Sequence, residues 1–477
     1  MQDIDRSEDN NKNTGKPRSV YIATYGCQMN VRDSEVIAGI LIQAGFELTQ
    51  SEDDADVVIL NTCAVREHAE EKVWSEIGSI AKRGRKLVHS PWSTVHSKDK
   101  KDEFCENREP NTENRLLILA RTQNPKPGTA DNRFPIIGLV GCMAKNYGQS
   151  AFARSPFVDF VVGPQDIAKI PEILQKLVHS PWSIDHSKYT KDEARSTKHE
   201  NTERRRAKDQ SSILFERKIW EVDGEVRPEE IYHSGFRSDT KKAYIVISEG
   251  CSNYCSYCVV PYVRGQLRHR RQEDILREAQ EAASKGITEI FLLGQNVNSY
   301  RSVSANGAEG DFVDMLEAVH ALEGVSRISF ISSHPKDSNT RLFKAIAGLE
   351  KMKKSLHLPL QSGSDRILKS MNRGYNSKYY LDLALEYRKI VPGGELSTDI
   401  IVGFPGESEE DFQATYRMVE DVRFDSAFIF KYSPRPHSKA AEFSDDVPKL
   451  EKERRHKLIL DLQKRVSLSV RQRREVK

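Results

Sequence analysis

The first part of the chain alternates short apolar runs with stretches of helical periodicity. SVYIATYGC (19–27) is an apolar, β-branched run that stops at a Gly-Cys pair. NVRDSEVIAGILIQAGF (30–46) follows with apolar residues at helical spacing and Gly45 near its end. DADVVILNTC (54–63) is a second buried-strand pattern that stops at a cysteine, and VREHAEEKVWSEIGSIAKRG (65–84) a second amphipathic helix. FPIIGLVGCMA (134–144) is a third strand, again with a cysteine past its end. This order predicts a parallel α/β sheet. Cys27, Cys63 and Cys142 then lie just past the carboxyl ends of three strands, along the edge where parallel sheets bind ligands. Three independent core cysteines are the competing reading, because cysteine is often buried.

A second series begins at KKAYIVISEGC (241–251). Helical patterns at 272–286, 311–324, 339–352, 377–393 and 408–422 alternate with strand patterns at 287–296, 325–333, 355–362, 395–406 and 424–434. About six strands in β/α alternation predict a partial parallel barrel, with functional groups in the loops after the strands. The expected fold class is therefore α/β: an N-terminal parallel α/β domain followed by a partial (βα)6 TIM-like barrel. The expected boundaries are a disordered tail at 1–17, the first domain at 18–175, the barrel at 237–447 and a basic helix at 448–477.

Two polar segments interrupt the pattern. KLVHSPWSTVHSKDKKDEF (86–104) recurs as KLVHSPWSIDHSKYTKDEA (176–194), and both continue in Ser-, Lys- and Glu-rich sequence. They read as inserts at about 86–132 and 176–212, without the aliphatic residues of a core. His89, His96, His179 and His186 repeat within them, but compositional tracts alone specify little. Cys105 lies in the first copy, and Arg195 stands at its counterpart.

Composition adds modest bounds. With 477 residues the chain can form about three domains. A net charge of +3 makes any nucleic-acid surface a local patch rather than a global property. Seven cysteines, three of them within eight residues, do not resemble a secreted disulfide framework. The polar N-terminus is no signal peptide and no run of about 18 apolar residues occurs. The expectation is a cytoplasmic chain with no membrane association.

The densest chemistry is in GCSNYCSYCVVPYVRG (250–265), where Cys251, Cys255 and Cys258 are spaced C-x3-C-x2-C. Three thiolates on one loop can each take one iron of a [4Fe–4S] cluster and leave the fourth iron open. A structural zinc site is the alternative, but zinc commonly uses two CxxC pairs and no second pair is present.

These residues, with LLGQNVNSY, SSHP, HLPLQSGS, MNRGY, STDIIVGFPGE and YSPRP, resemble the methylthiotransferases of the radical S-adenosylmethionine (SAM) superfamily. ATYGCQMN, ILNTCAVRE and LVGCMA resemble that family's first domain, and LLGQNVNSY is similar to the subgroup acting on N6-isopentenyladenosine in tRNA. The resemblance implies two [4Fe–4S] clusters, one on Cys251, Cys255 and Cys258 and an auxiliary one on Cys27, Cys63 and Cys142. It implies SAM as both methyl donor and radical source, with methylthiolation at C2 of the adenine at position 37. Tyr257, Gly294, Gln295, Asn296, Gln361, Ser362 and Asp399 are the implied SAM contacts. Implied partners are the anticodon loop of tRNA and an electron donor such as flavodoxin or ferredoxin, with the chain a monomer. The alternatives are a methylthiotransferase acting on threonylcarbamoyladenosine tRNA or a ribosomal protein, and a non-catalytic iron–sulfur paralogue.

The sequence also departs from the family pattern. Leu267 and His269 stand where a Glu and a Ser are usual, His437 stands where Gly is common, and the C-terminal RNA-binding TRAM domain is expected to be absent. RGQLRHRR and VRQRREVK are basic stretches that can meet phosphates or simply form solvated faces.

Overall fold

The computed structural model describes residues 18–64, 67–88, 135–179, 218–303, 307 and 309–475. The N-terminal tail and nearly all of both polar segments, with Cys105 and the HSPWS tryptophans, lie outside the described residues.

The first unit is a six-stranded sheet with helices on both faces. Its strands are β1 (Ser19–Tyr25), β2 (Glu47–Leu48), β3 (Val57–Thr62), β4 (Ile136–Val140), β5 (Phe160–Val162) and β6 (Ile219–Glu221). They lie in the order β2-β1-β3-β4-β5-β6, and every pairing is parallel. β6 comes from after the second polar segment, a stretch left unassigned by the periodicity. The helices are α1 (Gln28–Gln43), α2 (Glu67–Val88), α3 (Cys142–Tyr147), α4 (Ser150–Arg154) and α5 (Ile170–His179). β3 is buried on both faces, which is why VVILNT reads as a continuous apolar run rather than an alternation.

The second unit starts with β7 (Lys242–Val246). It continues through the short antiparallel pair β8 (Ser248–Glu249) and β9 (Arg268–His269), with α6 (Val260–Val263) between them. Next come α7 (Gln272–Ser284), β10 (Glu289–Leu293), the hairpin β11 (Arg301–Val303) and β12 (Glu309–Asp311), α8 (Phe312–Ala321) and β13 (Arg327–Phe330). Then follow α9 (Thr340–Gly348), β14 (Ser355–His357), α10 (Asp365–Ser370), α11 (Ser377–Ile390) and β15 (Glu395–Val402). The series closes with α12 (Glu409–Val422), β16 (Ser426–Lys431) and α13 (Lys449–Glu475). Two three-stranded parallel sheets, β7-β10-β13 and β14-β15-β16, are joined by a bridge between Ile328 and Met352. The result is six parallel strands forming part of a barrel, as the periodicity predicts.

The helix layer is terminated by ordinary chemistry. Asp311 and Ser408 make capping boxes with Asp314 and Asp411, and Asn339, Ser364 and Asn376 cap α9, α10 and α11. One core lies between the barrel strands and their helices. A second joins the two units, because Val36, Ile37 and Leu41 of α1 share a cluster with Val246 of β7 and Leu293 of β10.

Candidate active site

Strand register brings the first cysteine triad to one edge. Tyr25 pairs with Thr62 and Asn61 with Val140, so β1, β3 and β4 end side by side. Cys27 and Cys142 come two residues after their strands and Cys63 directly after its own. The turns leave no space for side chains: a Cβ on Gly26 would stand 2.7 Å from the Cys63 Cβ, and one on Gly141 2.4 Å from Asn61 Oδ1. Asn30 and Asn61 brace the turn through a 3.0 Å hydrogen bond, and Asn30 Oδ1 accepts from Cys27 Sγ at 3.4 Å. A hydrogen bond with Cys63 is the main reason the Cys27 thiol is lowered to about 6, with Arg264 helping against burial. Burial pushes the Cys142 thiol up, and the Arg264 charge opposes it.

The second triad follows the first barrel strand. Gly250 is tightly enclosed, with φ of +74° and a would-be Cβ 2.2 Å from the Gln266 carbonyl oxygen. Cys251 N donates to Gly265 O at 3.1 Å, so the loop closes on itself. Ser256 N donates to Met371 O, and Asn372 Nδ2 to Tyr254 O, which pins the loop to the end of α10. Burial and the neighbouring Cys255 raise the Cys258 thiol to about 12.

Residues beside the two triads pack together across the interface between the units. Ala64 and Cys142 of the first pack with Val259 and Val263 of the second in one small apolar cluster. Arg264, next in sequence, donates from Nε to Cys142 Sγ at 3.1 Å and from Nη2 to Asp33 of α1 at 2.7 Å. Behind this contact runs a buried ionic network. Arg227 meets Asp33 at 2.7 Å and Glu249 at 3.2 Å, while Arg32, Arg237 and Arg270 converge on Glu278 at 3.0, 2.6 and 2.6 Å.

Each donor set is three thiols, the ligand type of iron–sulfur clusters, in which each thiolate takes its own iron. Charge agrees. Arg373 is 4% exposed, and its donors reach Cys255 Sγ (3.2 Å), Tyr257 Oη (3.2 Å), Tyr375 Oη (3.0 Å) and Pro359 O (3.1 Å). It has no carboxylate partner among the described residues. A buried guanidinium needs a counter-anion, and a thiolate set carrying a cluster supplies one.

Beside this loop, buried polar atoms lack partners after three successive strands. They are Gln295 Oε1 and Asn296 Oδ1 after β10, Ser333 Oγ and His334 Nε2 after β13, and Gln361 Oε1 after β14. Ser332 and Gln361 also hold φ values of +74° and +69°, a conformation costly for a side-chain-bearing residue and common where ligands bind. Orphaned acceptors and donors at one end of a barrel fit a ligand as polar as the ribose and amino-acid parts of SAM. His334 is held neutral: burial, then the Arg373 and Lys336 charges, lower it to about 2.

The seven residues expected to touch SAM fare differently. Gln295, Asn296 and Gln361 contribute orphaned atoms, although Asn296 Nδ2 is already committed to Asp337 at 2.7 Å. Gly294 sits where a Cβ would meet Ser248 Oγ at 2.4 Å, and Tyr257 accepts from Arg373 within the loop. Asp399 lies mid-strand, its Oδ2 3.3 Å from His357 Nε2. Ser362 is fully buried, and its hydroxyl is 3.3 Å from Thr415 on the helix side. The residues missed were Arg264, Ser333, His334 and Arg373. Their motifs, PYVRG, SSHP and MNRGY, were visible, but their partners were not.

A partial parallel barrel with a three-cysteine loop after its first strand defines the class, and the radical SAM superfamily model matches residues 245–419. Residues 19–90 match the model described as uncharacterized protein family UPF0004. A tRNA-2-methylthio-N(6)-dimethylallyladenosine synthase of Chromobacterium violaceum is 37% identical over 439 residues, covering 92% of this chain and 81% of that protein. The enzyme of the same name from Syntrophomonas wolfei is 38% identical, covering 92% and 80%. That of Caldicellulosiruptor saccharolyticus is 37% identical, covering 96% and 80%. A radical SAM methyltransferase structure from Kitasatospora setae is a distant likeness, with 13% identity and a TM-score of 0.47 over 89% of this chain and 77% of that one. The chain belongs to the tRNA-2-methylthio-N(6)-dimethylallyladenosine synthase family of radical SAM methylthiotransferases. That family's cofactors are SAM and two [4Fe–4S] clusters.

Proposed function

We propose that this chain methylthiolates C2 of N6-dimethylallyladenosine at position 37 of tRNA. Cys251, Cys255 and Cys258 hold the cluster that binds SAM, and Cys27, Cys63 and Cys142 hold the auxiliary cluster. The observation that carries this reading is the packing of Ala64 and Cys142, at the first triad, on Val259 and Val263, in the segment that directly follows Cys258. An adenine C2–H is too weakly acidic for any side-chain base, so the family's cofactors supply radical chemistry and sulfur. The protein's own residues position and insulate: Arg373 neutralises the loop triad, while the orphaned atoms of Gln295, Ser333, His334 and Gln361 orient SAM. Gln295, Asn296 and Gln361 are retained as SAM contacts, with Tyr257, Gly294 and Asp399 around them. Ser362 is the weakest member of the set, because its hydroxyl is spent on Thr415.

The RNA partner is a tRNA anticodon loop, where splayed single-stranded bases can enter a pocket. A one-electron donor of the flavodoxin or ferredoxin type fits the need to reduce the loop cluster, and the chain acts as a cytoplasmic monomer. Among the described residues no helix is long and apolar enough to cross a membrane.

Anaerobic reconstitution is expected to give about eight irons per chain, and alanine at all three of Cys27, Cys63 and Cys142 about four. Mass spectrometry of nucleosides from dimethylallylated tRNA, incubated with enzyme, SAM and reductant, then reads the product. Deoxyadenosine release with no 2-methylthio nucleoside would sink the substrate assignment. Eight irons retained after removal of one triad would sink the assignment of that triad.

A further inference from the structure

Arg264 belongs by sequence to the barrel loop, six residues after Cys258, yet its side chain serves the other triad. It is 2% exposed and uses two of its three nitrogens, Nε on Cys142 Sγ at 3.1 Å and Nη2 on Asp33 at 2.7 Å. Its backbone is fixed as well: Gln165 Nε2 donates to Arg264 O at 2.9 Å, and Arg264 N donates to Val260 O at 2.8 Å. Nη1 is buried and has no hydrogen-bond partner. Leaving a charged donor unmade inside a protein is costly, and this one lies on a guanidinium already bonded to a cysteine of the first triad. Asp33 Oδ1 and Gln165 Oε1, on residues that touch Arg264, are also buried without hydrogen-bond partners, yet neither takes the Nη1 proton, and the other neighbouring acceptors are the sulfurs of the first triad.

We infer that Arg264 is a positioning residue that ties the auxiliary cluster to the radical-generating loop, its Nη1 donating to a sulfur atom of the group held by Cys27, Cys63 and Cys142. The inference rests on the ligand assignment above, not on the identity of the RNA substrate. Two consequences follow from general chemistry. Hydrogen bonds to cluster sulfurs and nearby positive charge raise a reduction potential, so Arg264 makes the auxiliary cluster easier to reduce. A rigid guanidinium bonded at Cys142 and Asp33 also fixes the auxiliary triad relative to the loop that precedes Arg264, which a lysine, with one ammonium, cannot do at both points.

The test compares holoenzyme with Arg264→Gln and Arg264→Lys. Added SAM shifts the electron paramagnetic resonance signal of the loop cluster only, so the unshifted signal reports the auxiliary cluster during a redox titration. The expected result is a more negative auxiliary midpoint in R264Q, an intermediate one in R264K, and more deoxyadenosine released per methylthiolated adenine in both. A chain that keeps about four of about eight irons, with the SAM-responsive signal intact, also supports the inference, because only the group held by the first triad is lost. Eight irons with an unmoved midpoint and unchanged product ratio overturn it. If R264Q does not fold, R264K alone decides, since it keeps the charge and forfeits the two-point geometry. A shifted midpoint in a chain that modifies no adenine would leave this inference standing and sink the substrate reading.

Discussion

Glu278→Gln removes the centre of the ionic network that joins the two units. Glu278 is 1% exposed and accepts from Arg32 of α1, from Arg237 in the connecting segment and from Arg270. Burial opposes its ionisation, but Arg270, Arg32 and Arg237 together hold it down to about 2. An ordinary glutamate titrates near 4.3, so the depressed value corresponds to about 3 kcal/mol of stability at neutral pH. Breaking a buried ion pair by removing one partner costs roughly 3–5 kcal/mol by a separate line of reasoning, and the two agree. The sign follows from the direction: stability is fully present above the unfolded value and is lost as pH falls toward the folded one. The deficit of E278Q relative to the parent is therefore expected at pH 7 and should narrow from pH 5 to pH 3. By thermal unfolding the loss is roughly 6–12 °C, taking about 2–4 °C per kcal/mol for large domains. A variant within about 0.5 kcal/mol of the parent at pH 7, the range of ordinary surface substitutions, would refute the reasoning. A deficit that stays constant down to pH 3 would assign the loss to shape rather than charge.

Three further outcomes are expected. Gly141→Ala puts a Cβ 2.4 Å from Asn61 Oδ1 and 2.9 Å from Thr62 O, at φ of +90°; iron analysis should fall from about eight to about four per chain, while SAM is still cleaved. Asp159 is raised to about 6 by burial, against the Ile137 amide and the Lys218 charge, so its burden on folding is absent below pH 4 and grows as pH rises to about 6. Asp159→Asn, which keeps an acceptor for Ile137 N, should raise stability at pH 8 by up to about 2–3 kcal/mol and leave it unchanged at pH 4 in denaturant titrations. His437 holds φ of +67°; since left-handed backbone costs a non-glycine residue about 1–2 kcal/mol and glycine's extra unfolded freedom returns about 0.5–1, His437→Gly should stabilise by about 0.5–1 kcal/mol.

Much of this molecule was legible because its apolar runs are continuous where strands are covered on both faces. VVILNT and SVYIATY could be read as parallel strands, and the register then had to bring Cys27, Cys63 and Cys142 to one edge. The His437 anomaly was legible as well: a position where glycine is common holds a left-handed backbone angle. Other features escaped for physical reasons. β6 is three residues long, and nothing in IWE distinguishes an edge strand from a loop. Ser362 was expected at the ligand because it follows a strand, but side chains alternate faces, and its hydroxyl turned to Thr415. Arg264 and Arg373 could not be assigned because their partners are distant in sequence: Arg264 is 231 positions from Asp33 and 122 from Cys142, and Arg373 is 118 from Cys255.

The charge pattern explains why such distant residues converge. Four buried arginines, Arg32, Arg227, Arg264 and Arg270, and the half-buried Arg237 are matched by five carboxylates, Asp33, Glu35, Glu229, Glu249 and Glu278. Buried ions are tolerated when each is paired, and the charges of this set balance one for one, with Arg264 Nε left for Cys142 Sγ and its Nη1 unused. The charges that dock the first unit on the barrel are thus balanced by protein groups alone. Arg373 differs, because its donors end on a thiol, two phenols and a carbonyl, none of them a fixed anion. The first triad therefore stands beside a neutral ionic set with one unused donor, and the loop triad beside a whole uncompensated charge. On the proposed ligand assignment, each cysteine set would meet its cluster beside an interface already bridged by Arg32–Glu278, Arg264–Asp33 and Arg237–Glu35, while the charge that a cluster would satisfy is concentrated on the loop side.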